Sequence, residues 1–276
     1  MALSWSMDKL GPICRAVEDC ALVLQAVYGP DHKDWTVHDI AFEWDPNLDI
    51  KKLRVGYVKE DFEKFPDIPA ETKPEVKERM TKNRAITKAH NDATLDVLRN
   101  KLGITLIPIE LPKMPWDAML SMLIAESAAA FDDLTRSGRD ALLNAQTKHD
   151  WPNTFRVGRF IPAVEYIQAG RARMMGMQKM AALFKQVDCF VAPTDSEQLI
   201  ITNLTGHPAV ILPNGFRPAD APEPPPDPFA GGGPGTPTSF TFVGDLYAEA
   251  KLLALAKAYQ DATEWHLKHP AMEIKS

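Results

Sequence analysis

The 276-residue sequence predicts an α/β fold in which helices cover the faces of a sheet. Three observations lead there. Helix-like and strand-like segments alternate along the chain. The strand-like segments are short and nearly all apolar, as expected where both faces of a sheet are covered. Apolar residues make up 45% of the chain and charged residues 25%, ordinary proportions for a globular protein long enough to bury a sizeable core.

Residues 15–28 read as a helix, because Val17, Ala21, Leu24 and Val27 recur at helical spacing and Gly29-Pro30 ends the run. Residues 31–50, with scattered Asp, Pro and Asn, read as an irregular connector. Leu53–Val58 is a short strand, and a long helix over about 73–101 stops at Gly103. The mixed charges of that helix describe a solvated face. Ile104–Ile109 is the next strand, and its Pro108 suits a strand end or a sheet edge. Helices are expected over about 115–134 and, rich in Ala and Met, over about 162–187. Cys189–Ala192 is an apolar strand closed by Pro193, and Ala209–Leu212 and Ser239–Val243 are two more. Between the last two, residues 218–237 are crowded with Pro and Gly and read as a surface loop. A final helix over about 248–266 carries Leu252, Leu253, Leu255 and Ala256 on its apolar side. No internal repeat is present. Five strands are few for this length, and the chain opens in a loop and a helix instead of a strand feeding a glycine-rich turn. Long loops or a partial sheet would account for both.

Composition narrows the function classes. A net charge of −6, from 31 basic and 37 acidic residues, gives no overall field for nucleic acid or an anionic membrane. No segment reaches the roughly 18 consecutive apolar residues of a membrane span. The opening Met1-Ala-Leu-Ser-Trp-Ser-Met-Asp8 lacks the basic and apolar regions of a secretory signal, which leaves a cytoplasmic location as the default. Cys14, Cys20 and Cys189 make neither a disulfide framework nor zinc-ligand spacing, and Cys14 and Cys20 read as buried, reduced thiols.

Three blocks then stand out. The first is Leu3-Ser-Trp-Ser-Met-Asp-Lys-Leu-Gly-Pro12 with Arg15-Ala-Val-Glu-Asp-Cys-Ala-Leu22. The second is Asp188-Cys-Phe-Val-Ala-Pro-Thr194. The third is Thr202-Asn-Leu-Thr-Gly-His-Pro-Ala-Val-Ile-Leu-Pro-Asn-Gly-Phe216, followed by Gly235-Thr-Pro237 and the closing helix. In order and spacing these resemble the C-terminal half of the amidase signature family, whose members carry S-x-D-x-x-G-P, D-x-x-x-x-P-T and N-x-x-G-x-P segments. The resemblance covers essentially the whole chain. It implies an α/β/α layered fold with a mixed sheet, residues 1–276 being the C-terminal portion of a single amidase domain whose N-terminal catalytic strands and helices are missing. It also implies hydrolysis of a carboxamide through an acyl-serine intermediate, without metal or organic cofactor, on a small-molecule amide substrate. Any export signal would lie on the preceding, absent region.

In the family a serine nucleophile, a bridging serine and a lysine base precede the first block. A serine hydroxyl needs a neighbouring base, and glycine-rich backbone supplies the oxyanion donors. The sequence has no such serine- and glycine-rich run, so no catalytic residue is assigned. Trp5, Ser6, Asn203 and Thr205 are the positions expected nearest the substrate, since loops and short connectors beside α/β strands carry such contacts. Asn203, Thr205 and Gly206 also suit a tight helix-to-strand corner, so the block has a purely architectural reading too. Ser6-Met-Asp-Lys9 has the spacing of an S-x-x-K pair, but Gly11-Pro12 argues against the helix that pairing needs. His207 reads as a satisfied structural side chain. The glycine-rich residues 231–235 lack the G-K-[ST] of a phosphate cradle.

Two alternatives accompany the amidase. One is the A component of a glutamine-dependent tRNA amidotransferase, whose amine-binding aspartate would fall near Ser196, beside Asp195. The other is a non-catalytic truncated product that self-associates through an exposed sheet edge.

Overall fold

The computed structural model describes residues 2–224 and 232–269. In chain order its elements are α1 (Val17–Val27), β1 (Val55–Val58), α2 (Lys59–Glu63), α3 (Pro74–Asp96), β2 (Leu106–Ile109), α4 (Trp116–Met119), α5 (Ser121–Ala130), α6 (Asp132–Arg136), α7 (Trp151–Gly158), α8 (Ala163–Phe184), β3 (Cys189–Pro193), α9 (Gln198–Thr205), β4 (Ala209–Phe216), β5 (Pro237–Gly244) and α10 (Glu249–Thr263). They fall into two compact units. A sheet unit comprises Gly11–Glu110, Gln186–Ser196 and Pro208–Ser276, and a helical unit comprises Met1–Leu10, Leu111–Lys185 and Glu197–His207.

In the sheet unit all five expected strands form one mixed sheet in the order β2-β1-β3-β5-β4. β1 runs parallel to β2 and β3, and β5 runs antiparallel to β3 and β4. Alternate strand residues Val55, Cys189, Val191, Phe242, Phe240 and Leu212 share a core with Val17 of α1, Leu95 of α3 and Leu252, Leu255 and Tyr259 of α10. The period of two along the strands meets the 3.6-residue period of the helices on that face. Phe240 packs edge-on against Phe242 and Tyr259, with ring centroids 4.9 and 4.6 Å away. Phe190, Ala192 and Val243, which point to the other face, are also fully buried. Pro108 lies on edge strand β2, where its missing N–H costs no ladder bond.

β4 runs past its expected end at Leu212 through a register shift between Pro213 and Gly215. The bulge turns Asn214 inward. Its Nδ2 donates to Thr94 Oγ1 at 3.1 Å and Asn91 Oδ1 at 3.3 Å, and its Oδ1 accepts from Thr238 Oγ1 at 2.7 Å. The long helix expected over 73–101 ends as a π turn, Val97–Lys101, with Val97 and Leu98 buried. Residues 31–49 carry no helix or strand, as expected. Of the Pro/Gly-rich stretch 218–237, residues 225–231 lie outside the described residues; Ala221 is buried and residues 218–220 are exposed. The expectation for the thiols needs correcting: Cys189 is buried, but Cys14 and Cys20 are half-buried free thiols, because residues 10–13 around them lie mostly exposed.

In the helical unit the single helix expected over 115–134 is three, α4, α5 and α6, broken at Leu120 and Phe131. Phe131 leaves helical geometry (φ −107°, ψ 24°), and its ring stacks 4.7 Å from that of Phe155 on α7. Tertiary packing here overrides local helical preference. α7 and α9, each of eight residues, were too short to show in the periodicity. α8 matches its expected range and crosses Trp116 at Gly176, where a Cβ would lie 2.6 Å from two carbons of the buried indole. α9 ends at Gly206, whose φ of 85° is the left-handed cap that glycine accepts without strain.

Candidate functional site

Among the described residues of the helical unit, the buried carboxylate of Glu126 gathers several partners. Glu126 sits mid-way along α5, 6% exposed, in the otherwise small or apolar run Met122-Leu-Ile-Ala-Glu-Ser-Ala-Ala-Ala130. An unpaired carboxylate there would be costly. The Ser6 hydroxyl donates to Oε1 at 2.7 Å, the Tyr166 hydroxyl donates to Oε1 at 2.7 Å, and the Ser6 amide donates to Oε2 at 3.2 Å. The Ser4 hydroxyl donates to Oε2 as well. Burial pushes the carboxyl pKa up, but these four donors more than offset it and hold Glu126 below the ordinary carboxylate value. The Tyr166 hydroxyl is pushed up in turn, chiefly by its bond to Glu126.

Arg173 stands seven residues after Tyr166 on α8, so both face the same way. Its Nη1 donates to Ser6 Oγ at 2.9 Å and its Nη2 to the Ser6 carbonyl at 2.6 Å. Its Nε donates to the carbonyl of Leu204 in the last turn of α9. Lys9 reaches the same helix end: its Nζ donates to the carbonyls of Thr202 at 3.1 Å and His207 at 2.9 Å. Two cations thus satisfy carbonyls at the negative end of α9, where free carbonyls and the helix dipole favour positive charge. Burial lowers the pKa of Lys9 and, against the attraction of Glu126, that of Arg173.

This geometry places the four residues expected nearest the substrate. Ser6 and the end of α9 that bears Asn203 and Thr205 are joined through Arg173, which bonds both Ser6 and Leu204. Trp5 is 69% exposed. Asn203 is exposed, with its Nδ2 donating back to the Leu199 carbonyl at 2.9 Å. Thr205 is buried; its hydroxyl donates to the Ile201 carbonyl at 2.7 Å and lies 2.8 Å from His207 Nδ1. With that hydroxyl hydrogen already committed, the imidazole proton belongs on Nδ1. His207 is buried and stacked 4.8 Å from the Phe184 ring, as a structural histidine should be. The S-x-x-K spacing makes no hydroxyl–base pair: Ser6 Oγ engages Glu126 and Arg173, and Lys9 engages carbonyls. Glu126, Tyr166 and Arg173 escaped the sequence reading, and Lys9 entered it only as half of the S-x-x-K spacing. The one signal they left was a lone carboxylate inside an apolar helical run.

The model of the Amidase family matches residues 1–199. The chain belongs to the Amidase family. Curated relatives of this amidase-family chain include the A components of the glutamyl-tRNA(Gln) amidotransferases of Alcanivorax borkumensis, 25% identical over 98% of the chain, and of Roseiflexus sp., 24% identical over its full length. The chain spans 57% and 58% of the length of those two relatives. Among solved structures, the native peptide amidase of Stenotrophomonas maltophilia shares the fold at a TM-score of 0.61 and 22% identity, covering 95% of this chain and 55% of that one. An amidase family protein from Bacillus anthracis does so at 0.66 and 18%, covering 95% of this chain and 50% of that one. The mixed sheet with its helices is therefore the amidase fold, over about half of those chains.

Proposed function

We propose that this chain is the C-terminal portion of a single amidase domain hydrolysing a carboxamide C–N bond, and that the serine nucleophile, bridging serine and lysine base lie on polypeptide outside these 276 residues. The observation that carries the reading is the family match over residues 1–199, which runs through parts of both units. On this reading Trp5, Ser6 and Asn203 offer accessible surface to a small-molecule amide, while Thr205 acts from inside by holding the end of α9 and His207. The isolated chain is then inactive, and its open sheet edge favours self-association.

The direct test is turnover. The 276-residue chain should release no ammonia or arylamine from simple aliphatic and aryl amides. A version extended by the in-frame sequence upstream of the Met1 codon, expected to encode a serine- and glycine-rich segment, should release it and be blocked by a serine-directed reagent. Robust, reagent-sensitive turnover by the 276 residues alone would refute the assignment of the catalytic groups to other polypeptide.

A second reading is favoured by the names of the relatives: the completed protein is the A component of a multi-protein amidotransferase that draws ammonia from glutamine. Glutamine-dependent ammonia release that requires the added partner proteins would select it. Release from other amides without them would select the stand-alone amidase.

A further inference from the structure

We propose that Glu126, acting with Arg173, is a positioning residue that presents Ser6 to the substrate as a pure hydrogen-bond acceptor and fixes Trp5 beside it. The use of this device rests on the amidase reading above; its geometry does not.

A serine hydroxyl has one hydrogen to donate and two lone pairs to accept with. The Ser6 hydrogen is committed to Glu126 Oε1 at 2.7 Å, and one lone pair is taken by Arg173 Nη1 at 2.9 Å. One lone pair is left, on a residue that is itself exposed. The same two side chains also hold the backbone of Ser6: its amide donates to Glu126 at 3.2 Å and its carbonyl accepts from Arg173 at 2.6 Å. Ser4 is tied to Glu126 too, so Trp5 is bracketed on both sides by anchored residues while the residue itself stays 69% exposed. Such an arrangement suits a ligand that donates an N–H to Ser6 and lays an apolar group on the indole. A primary carboxamide bearing an apolar substituent has both features. Tyr166 supplies a further donor to Glu126 Oε1.

The experiment uses the whole 276-residue chain labelled with 5-fluorotryptophan, with the resonance of Trp5 identified by Trp5→Phe and that of Trp116 by Trp116→Phe. Trp116 is 2% exposed in the same unit and reports on its general packing. Glu126→Gln keeps the size of the side chain and removes its charge. It should shift the Trp5 fluorine resonance while leaving that of Trp116 in place, and should speed exchange of the Ser6 amide by about tenfold or more. Ser6→Ala, which removes only the hydroxyl of an exposed residue, should shift Trp5 the same way, and the double variant should go no further than the larger single one, because both act on one interaction. If Glu126→Gln does not fold, Ser6→Ala decides alone. An unmoved Trp5 resonance in the folded variants overturns the proposal. So does a Trp116 resonance that moves along with Trp5, since that would make Glu126 a general support of the unit. No turnover is read, so an inactive completed enzyme would sink the amidase reading and leave this result standing.

Discussion

In the sheet unit, Phe240, Phe242 and Tyr259 meet edge to face and the polar groups buried beside them are neutral, Asn214 with Asn91, Thr94 and Thr238. In the helical unit the buried polar centre is ionic: Glu126 is held by three hydroxyls and an amide, and Ser6 bridges it to Arg173. The sheet-unit network is neutral at its centre, continues through Thr238 to the half-buried His90, whose Nδ1 lies 2.7 Å from Thr238 Oγ1, and mainly satisfies groups that the bulge forces inward. An ionic one is directional and tunable, and is costly to break on one side. The contrast teaches where each unit is vulnerable. The sheet unit depends on filled volume, and the helical unit depends on a charge with all its partners present.

Phe242→Ala should produce the largest effect, a loss of about 3–5 kcal/mol read by chemical denaturation, since it empties a site with no exposed surface in the aromatic cluster. Glu126→Ala should cost about 3 kcal/mol by leaving the hydroxyls of Ser4, Ser6 and Tyr166 without their common acceptor and the Arg173 charge without the attraction of a nearby carboxylate. Hydrogen exchange should place that loss first in residues 4–9 and the end of α9, and uniform loss of protection across both units would erase the contrast. Gly176→Ala should cost about 1–3 kcal/mol, because the new methyl meets the Trp116 ring. A melting temperature equal to the parent's would show that the indole gives way freely. Mild acid should have the smallest effect. The folded-state pKa of Glu126 is depressed, so its contribution is full above the unfolded carboxylate pKa and fades as pH falls through the lower folded value. Protection of the Ser6 amide should fall over that acidic window while the amides of Phe240 and Phe242 in β5, away from the Asp188–Arg54 pair, keep theirs. Parallel losses in both would show that the carboxylate is not what sets the helical unit apart.

The fold was largely legible because its information is local. Short, largely apolar stretches at Leu53–Val58, Cys189–Ala192 and Ser239–Val243 announce strands whatever they pair with, and Gly206 announces a left-handed corner from its residue type alone. The candidate site was legible only in part. Ser6 and Asn203 lie in blocks that resemble the amidase signature family, so their neighbourhood was named without knowing what held it. Where α5 breaks also stayed hidden, since Phe131 leaves the helix to stack on a ring 24 residues further along.

By itself the sequence determined the five strands, the longer helices, the family and the blocks that carry the candidate site, because periodicity, turn chemistry and motif spacing act over a few residues. The tertiary structure alone decided that Ser6 meets Glu126 across 120 residues of chain and Arg173 across 167. The physical reason is that a buried charge is tolerable only where its partners converge, and convergence over such separations is a property of the folded packing, with no trace in local spacing.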